Sequence, residues 1–159
     1  MASMALCVKD DRQHREPAQT VARALQPLIL VVEDDASIRR FLCTLLKRTT
    51  CALVMDAADP DLAWSMARSI GQPIDLLISD IDLGTSKNGV ELARALSASE
   101  LAIHVLLMSA GKYPENGIPS NWRFLEKPFP VAELLDCVNA LCGIPPQASM
   151  GYIQSVHKA

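Results

Sequence analysis

Leu76-Leu77-Ile78-Ser79-Asp80-Ile81-Asp82 is the stretch on which the reading of this chain turns. An apolar run ends abruptly at a carboxylate. Short apolar runs bounded by polar residues read as buried strands, so Asp80 falls at a strand's C-terminal edge. In open parallel α/β sheets that edge is where ligands bind. The other residues of chemical interest can be placed around this one carboxylate.

Outward from Asp80, strand and helix patterns alternate. Upstream, Pro27 precedes Leu28-Ile29-Leu30-Val31-Val32, a β-branched apolar run that stops at Glu33-Asp34-Asp35. Such a run reads as a strand buried on both faces. Ile38, Phe41, Leu42, Leu45 and Leu46 then repeat at helical spacing and predict one apolar stripe. Lys47 and Arg48 fall in that helix's last turn, where cations suit its dipole. Arg39 and Arg40 read as solvated helix surface. A second strand is expected over Cys51–Met55. Asp59-Pro60 then supplies an N-cap followed by proline at the first helical position. Ala63, Met66, Ala67 and Ile70 make the next stripe, closed by Gly71.

Downstream of Asp80, Gly84–Gly89 is a loop, Val90–Ser97 a short helix and Ile103–Met108 a fourth strand ended by Ser109. Residues 111–120 hold two glycines and two prolines without apolar period, which leaves no room for a long helix. Trp122–Glu126 reads as a fifth strand, followed by Lys127-Pro128. The last helix begins near Pro130, buries Val131, Leu134, Leu135, Val138 and Leu141, and closes at Gly143 before Pro145-Pro146. The pattern predicts an α/β fold with a doubly wound parallel sheet and helices on both faces. Residues 27–143 form the expected domain. Residues 1–26 read as a disordered arm, with one helical turn near Thr20–Leu25, and 144–159 as a short tail.

Composition narrows the function classes. The chain has 159 residues, half of them hydrophobic, so it can bury a sizeable core. Net charge is −3 and aromatics make up 4%, so neither a basic footprint for nucleic acid nor a base-stacking platform is visible. The five cysteines show no metal-binding or redox spacing and read as reduced thiols. No apolar run approaches the roughly 20 residues that span a bilayer, and the first residues lack a signal peptide's core. The expectation is a cytoplasmic protein with no membrane or nucleic-acid partner.

Four of the five expected strands end in residues that could share one crevice: Glu33 and Asp34, then Asp80, Ser109 and Lys127. Each has a physical task if the site handles phosphate. Clustered carboxylates repel, and a hard divalent cation such as Mg²⁺ relieves the repulsion. A serine hydroxyl can donate to a phosphoryl oxygen, and a lysine can neutralise its charge. Asp80 would be the nucleophile that forms an acyl phosphate. Each residue also has a plain structural reading: acids at a helix N-terminus, a strand-end turn aspartate, a strand-end serine, an exposed lysine.

In these residues and their order the chain resembles the response-regulator receiver domain, the phosphoacceptor module of two-component signalling. The resemblance runs from about Leu28 to Leu141. It implies a five-stranded sheet of order 2-1-3-4-5 in a three-layer sandwich. It also implies an acidic pair at Glu33 and Asp34, a phosphoacceptor at Asp80, and phosphoryl-stabilising roles for Ser109 and Lys127. Asp82 would lend its backbone carbonyl to the Mg²⁺. Phe124, three residues before Lys127, falls at the family's aromatic switch position, although a strand phenylalanine also reads as plain core. The Lys127-Pro128 peptide would be cis. The implied partners are a sensor histidine kinase or a histidine phosphotransfer protein, with output through contact with a downstream protein. The chain would be a single-domain response regulator rather than an enzyme.

The sequence departs from the family pattern in three places. Gly84 stands where a proline is usual, the glycine expected eight residues after Asp80 comes nine after it as Gly89, and the fourth helix is short or missing. Two rival readings follow. One is a pseudo-receiver, a protein-binding module that is never phosphorylated. The other takes Asp80-Ile81-Asp82 with Thr85 as the aspartate loop of a haloacid-dehalogenase-type phosphatase. Against that phosphatase, its motif normally ends the first strand and precedes, rather than follows, the acidic metal pair.

Overall fold

The computed structural model describes residues 26–145 except 85, 86, 112, 115 and 116. The elements run β1 (Leu28–Val32), α1 (Ala36–Thr49), β2 (Leu53–Ala57), α2 (Pro60–Ser69), β3 (Ile74–Asp80), α3 (Gly89–Ala98), β4 (Ala102–Ser109), β5 (Arg123–Glu126) and α4 (Val131–Cys142). The strands form one parallel sheet in the order β2-β1-β3-β4-β5. That is the expected doubly wound α/β architecture. The arm at 1–25, including the turn near Thr20–Leu25, and the tail from 146 lie outside the described residues.

The strands' period of two divides the core. Leu28, Leu30, Val32, Leu77, Val105 and Leu107 point to one face, where Ala63 and Ala67 of α2 and Leu92, Ala93 and Leu96 of α3 cover them. Ile29, Val31, Leu76, Ile78, Leu106 and Met108 point to the other, under Leu42 and Leu46 of α1 and Leu134 and Val138 of α4. Side chains alternate along a strand, so two-sided cover demands the continuous apolar runs seen at β1, β3 and β4.

Local chemistry sets the helix ends. Asp35 caps α1 by accepting hydrogen bonds from the Ser37 and Ile38 amides at 2.7 and 2.9 Å. Asp59 caps α2 through the Leu62 amide, with Pro60 next. Asn88 and Glu91 cap α3 reciprocally. Gly143 ends α4 in the left-handed conformation at φ 64°.

Three expectations need correcting. In α1 the buried face is Leu42, Cys43 and Leu46, while Ile38 and Phe41 are 39% and 53% exposed. Phe41 sits about 100° round the helix from Leu42, and the buried face is turned toward Cys43 and Arg39, away from Phe41. Similarly, Val131 is exposed at the start of α4. Strand β2 lies two residues later than expected, because α1 runs on to Thr49 and pairing with β1 puts Leu53 opposite Leu28.

Among the described residues no helix separates β4 from β5. The connection instead carries turns in which the Gly117 amide donates to the Pro114 carbonyl and the Trp122 amide to the Pro119 carbonyl. Trp122 is 5% exposed, and with Ile118 it packs onto the α2–α3 face of the sheet. No helix among the described residues is long and apolar enough to cross a membrane, and Cys43, Cys137 and Cys142 are free thiols.

Candidate functional site

Parallel pairing brings the C-terminal ends of β1, β3, β4 and β5 to one rim. Asp80 is paired with Met108, and Ser109 with Glu126, the residue before Lys127. The Lys127 amide donates to the Ser109 carbonyl at 2.8 Å, which extends the β4–β5 ladder by one step. The Lys127-Pro128 peptide is cis.

At this rim carboxylate oxygens of Glu33, Asp34 and Asp80 all lie within 4.8 Å of one another. Glu33 and Asp80 are buried and Asp34 is exposed. The Lys127 ammonium donates to Asp80 Oδ2 at 2.7 Å and to Glu33 Oε2 at 2.8 Å. Burial pushes the Glu33 carboxyl above its ordinary range, with the Asp80 charge adding to the effect and Lys127 opposing it. Burial alone would depress the Lys127 ammonium. The hydrogen bonds it donates to Asp80 and Glu33, and their charges, outweigh burial and hold it above its usual value.

Counted formally, three carboxylates against one ammonium leave the cluster two negative charges in excess. All its donors are hard oxygens, and the exposed Asp34 leaves the cluster open to solvent. A hard divalent cation fits that charge and donor set, and a soft metal does not.

The remaining expected residues are placed as follows. Ser109 is buried, and its hydroxyl donates to Asp82 Oδ2 at 3.1 Å while accepting the Gly111 amide at 3.0 Å. The Asp82 amide in turn donates to Asp80 Oδ1 at 3.3 Å. Ser109 therefore joins the cluster through the Asp82 side chain, whereas the sequence pointed only to that residue's carbonyl. Phe124 is half-buried and meets Tyr113 edge-on, with ring centroids 5.2 Å apart at 75°.

Three further residues shape the rim. Gly84 has φ +60°, and a Cβ there would stand 2.9 Å from Asp34 Oδ2. At Gly89 a Cβ would stand 1.9 Å from the Asp80 carbonyl oxygen, so only glycine lets α3 start against the acceptor's own backbone. Arg39, expected on the solvated surface, reaches back over the loop after β1. It donates to the Glu33 and Asp34 carbonyls and pairs with Asp56. A basic residue on the second turn of a helix that follows two acids was the available signal.

Comparison with known proteins agrees with this architecture. Similar solved structures include the receiver domain of the Francisella response regulator 1452, with 26% identity and a TM-score of 0.63 over 74% of this chain and 98% of that one. A response regulator receiver protein from Sinorhizobium medicae WSM419 has 26% identity and a TM-score of 0.65, over 74% and 95% of the two chains. The receiver domain of the hybrid histidine kinase CckA has 28% identity and a TM-score of 0.59, over 72% and 97%. A search of curated protein sequences gave no match. The family model for the response regulator receiver domain matches residues 29–139. A match of that extent, laid over a sheet of this order, makes the chain a member of the response regulator receiver domain family.

Proposed function

We propose that the protein accepts a phosphoryl group on Asp80 from the phosphohistidine of a sensor kinase or a histidine phosphotransfer protein, in the cytoplasm, and signals by protein contact. One observation carries the reading: the Asp80 carboxylate ends a central strand within 4.8 Å of two further acids and 2.7 Å from a lysine. A carboxylate oxygen of Asp80 attacks phosphorus. The P–N bond breaks, its electron pair returns to the imidazole, and an acyl phosphate remains on Asp80. Little covalent chemistry falls to the protein in such a transfer; positioning and charge neutralisation do most of the work.

The carboxylates of Glu33, Asp34 and Asp80 and the Asp82 carbonyl would hold a Mg²⁺ ion, which when bound neutralises charge on the transferring oxygens. Lys127 turns from Asp80 Oδ2 to a phosphoryl oxygen. Ser109 leaves Asp82 and donates to another. Those two movements pull on the ends of β4 and β5 and bias the half-buried Phe124 between two positions. The protein takes part in its own phosphorylation and dephosphorylation but turns over no separate substrate. The receiver unit occupies residues 27–143, flanked by an arm at 1–26 and a tail at 144–159.

Incubation with acetyl phosphate and Mg²⁺ should add one phosphoryl group, seen by intact mass. EDTA should prevent it, and Asp80→Asn should abolish it. Labelling that persists in Asp80→Asn overturns the assignment. A wild-type chain that neither labels nor shifts its amide resonances with beryllofluoride is instead a pseudo-receiver. Multiple turnover of a phosphate monoester would support the phosphatase reading.

A further inference from the structure

The geometry points to Arg39 as a positioning residue for the acidic pair: a clasp that turns the backbone at Glu33-Asp34 so that both carboxylates meet Asp80. The inference rests on the metal-binding role proposed above for that pair. In an extended strand, consecutive side chains point to opposite faces. Glu33 and Asp34 are consecutive, yet oxygens of both lie within 4.8 Å of an Asp80 oxygen. The chain must therefore turn between them as it leaves β1.

Arg39 holds that turn. A single guanidinium nitrogen, Nη1, donates to the Glu33 carbonyl at 2.6 Å and to the Asp34 carbonyl at 3.2 Å. Consecutive carbonyls of a strand diverge, so two on one donor define a bent backbone. These carbonyls lie between the last strand residue, Val32, and the helix cap, Asp35, outside both regular hydrogen-bond ladders. The guanidinium is itself tethered, because Nε pairs with Asp56 Oδ2 at 3.2 Å and the side chain is only 19% exposed. The Arg39 amide donates to the Asp35 carbonyl at 2.9 Å, which ties the clasp to the first turn of α1. Lysine could not replace this fork, since one ammonium lacks the planar spread that reaches two carbonyls and a carboxylate together.

The test is direct titration of the full chain with Mn²⁺, followed by electron paramagnetic resonance, with no phosphodonor present. Outer contacts that orient metal ligands typically change affinity about 10- to 100-fold. Arg39→Lys keeps the charge and loses the clasp, so its Mn²⁺ dissociation constant should rise about tenfold. Arg39→Met should lose at least as much, although removing a nearby cation would by charge alone tighten Mn²⁺ binding. Arg40→Met, on the exposed neighbour, should stay within about twofold of wild type. Amide exchange at Glu33–Asp35 should quicken in both Arg39 variants while their melting temperatures stay close to wild type. Should Arg39→Met fail to fold, Arg39→Lys and Asp56→Asn carry the test, the latter expected to weaken Mn²⁺ binding a few-fold. Wild-type affinity in the folded Arg39 variants overturns the clasp and leaves the metal site standing. A wild-type chain that does not bind Mn²⁺ overturns the metal site and the clasp with it.

Discussion

Gly89 illustrates how one missing methyl group positions a site. Helix α3 begins against the backbone of Asp80, the Gly89 amide donates to the Ile81 carbonyl at 2.9 Å, and a Cβ would overlap the Asp80 carbonyl oxygen. That oxygen is backbone and cannot swing aside. Gly89→Ala should therefore cost about 3 kcal/mol, the upper end of ordinary overpacking, and should slow phosphorylation of Asp80 by displacing it. Chemical denaturation and acetyl phosphate labelling measure the two effects. A variant as stable as wild type would show that α3 can withdraw from Asp80 freely. Gly84 is under milder constraint. Its φ of +60°, and the 2.9 Å at which a Cβ would meet Asp34 Oδ2, explain why glycine suits this turn, where the family pattern has proline: proline is restricted to negative φ.

The connection from β4 to β5 shows how an element can be replaced. Where a helix would normally cover the sheet, two turns lay Ile118 and Trp122 onto the core face shared with α2 and α3. One buried indole does much of the covering that a helix stripe would otherwise do. Trp122→Ala should cost about 3–5 kcal/mol, measured by urea denaturation. A loss under 1 kcal/mol would mean that the connection covers the sheet without it. The same segment brings Tyr113 edge-on to Phe124, so any movement of Phe124 must break or carry that ring contact. Output through this surface would then depend on a loop more than on a helix face.

At the scale of the whole molecule, the three clustered acids gather at one rim of the sheet, and the described thiols lie on or beside α1 and α4. Burial pushes the Cys142 thiol up to about 12 from 9.0, with the Asp75 and Cys51 charges adding, and it raises Cys43 and Cys137 as well. The sign of the linkage follows. Unfolded, these thiols release protons from about pH 9, while folded Cys142 keeps its proton to about 12. The contribution to stability is whole below pH 9 and falls as pH rises toward 12. Wild type should thus lose more stability than Cys142→Ala between pH 8.5 and 10.5, measured as the difference in urea midpoints. Equal losses would contradict the burial of this thiol. Iodoacetamide at pH 8 should modify the exposed Cys51 well before Cys142.

The division between what was readable in the chain and what needed coordinates follows from range. Strand runs such as Leu28–Val32 and Leu76–Asp80, and a cap such as Asp59, rest on local periodicity and neighbouring amides. Sequence therefore yields them, and alternation then forces a parallel sheet that gathers Glu33, Asp34, Asp80 and Lys127 at one rim. The bond from Ser109 to Asp82, the reach of Arg39 back to Glu33 and across to Asp56, the exposure of Phe41 and the closeness of Gly89 to Asp80 were not readable in this way. Each depends on how far a helix is rotated about its axis or how closely a loop approaches a strand. Those quantities are set by packing between segments distant in the chain, and periodicity within any one segment leaves them open.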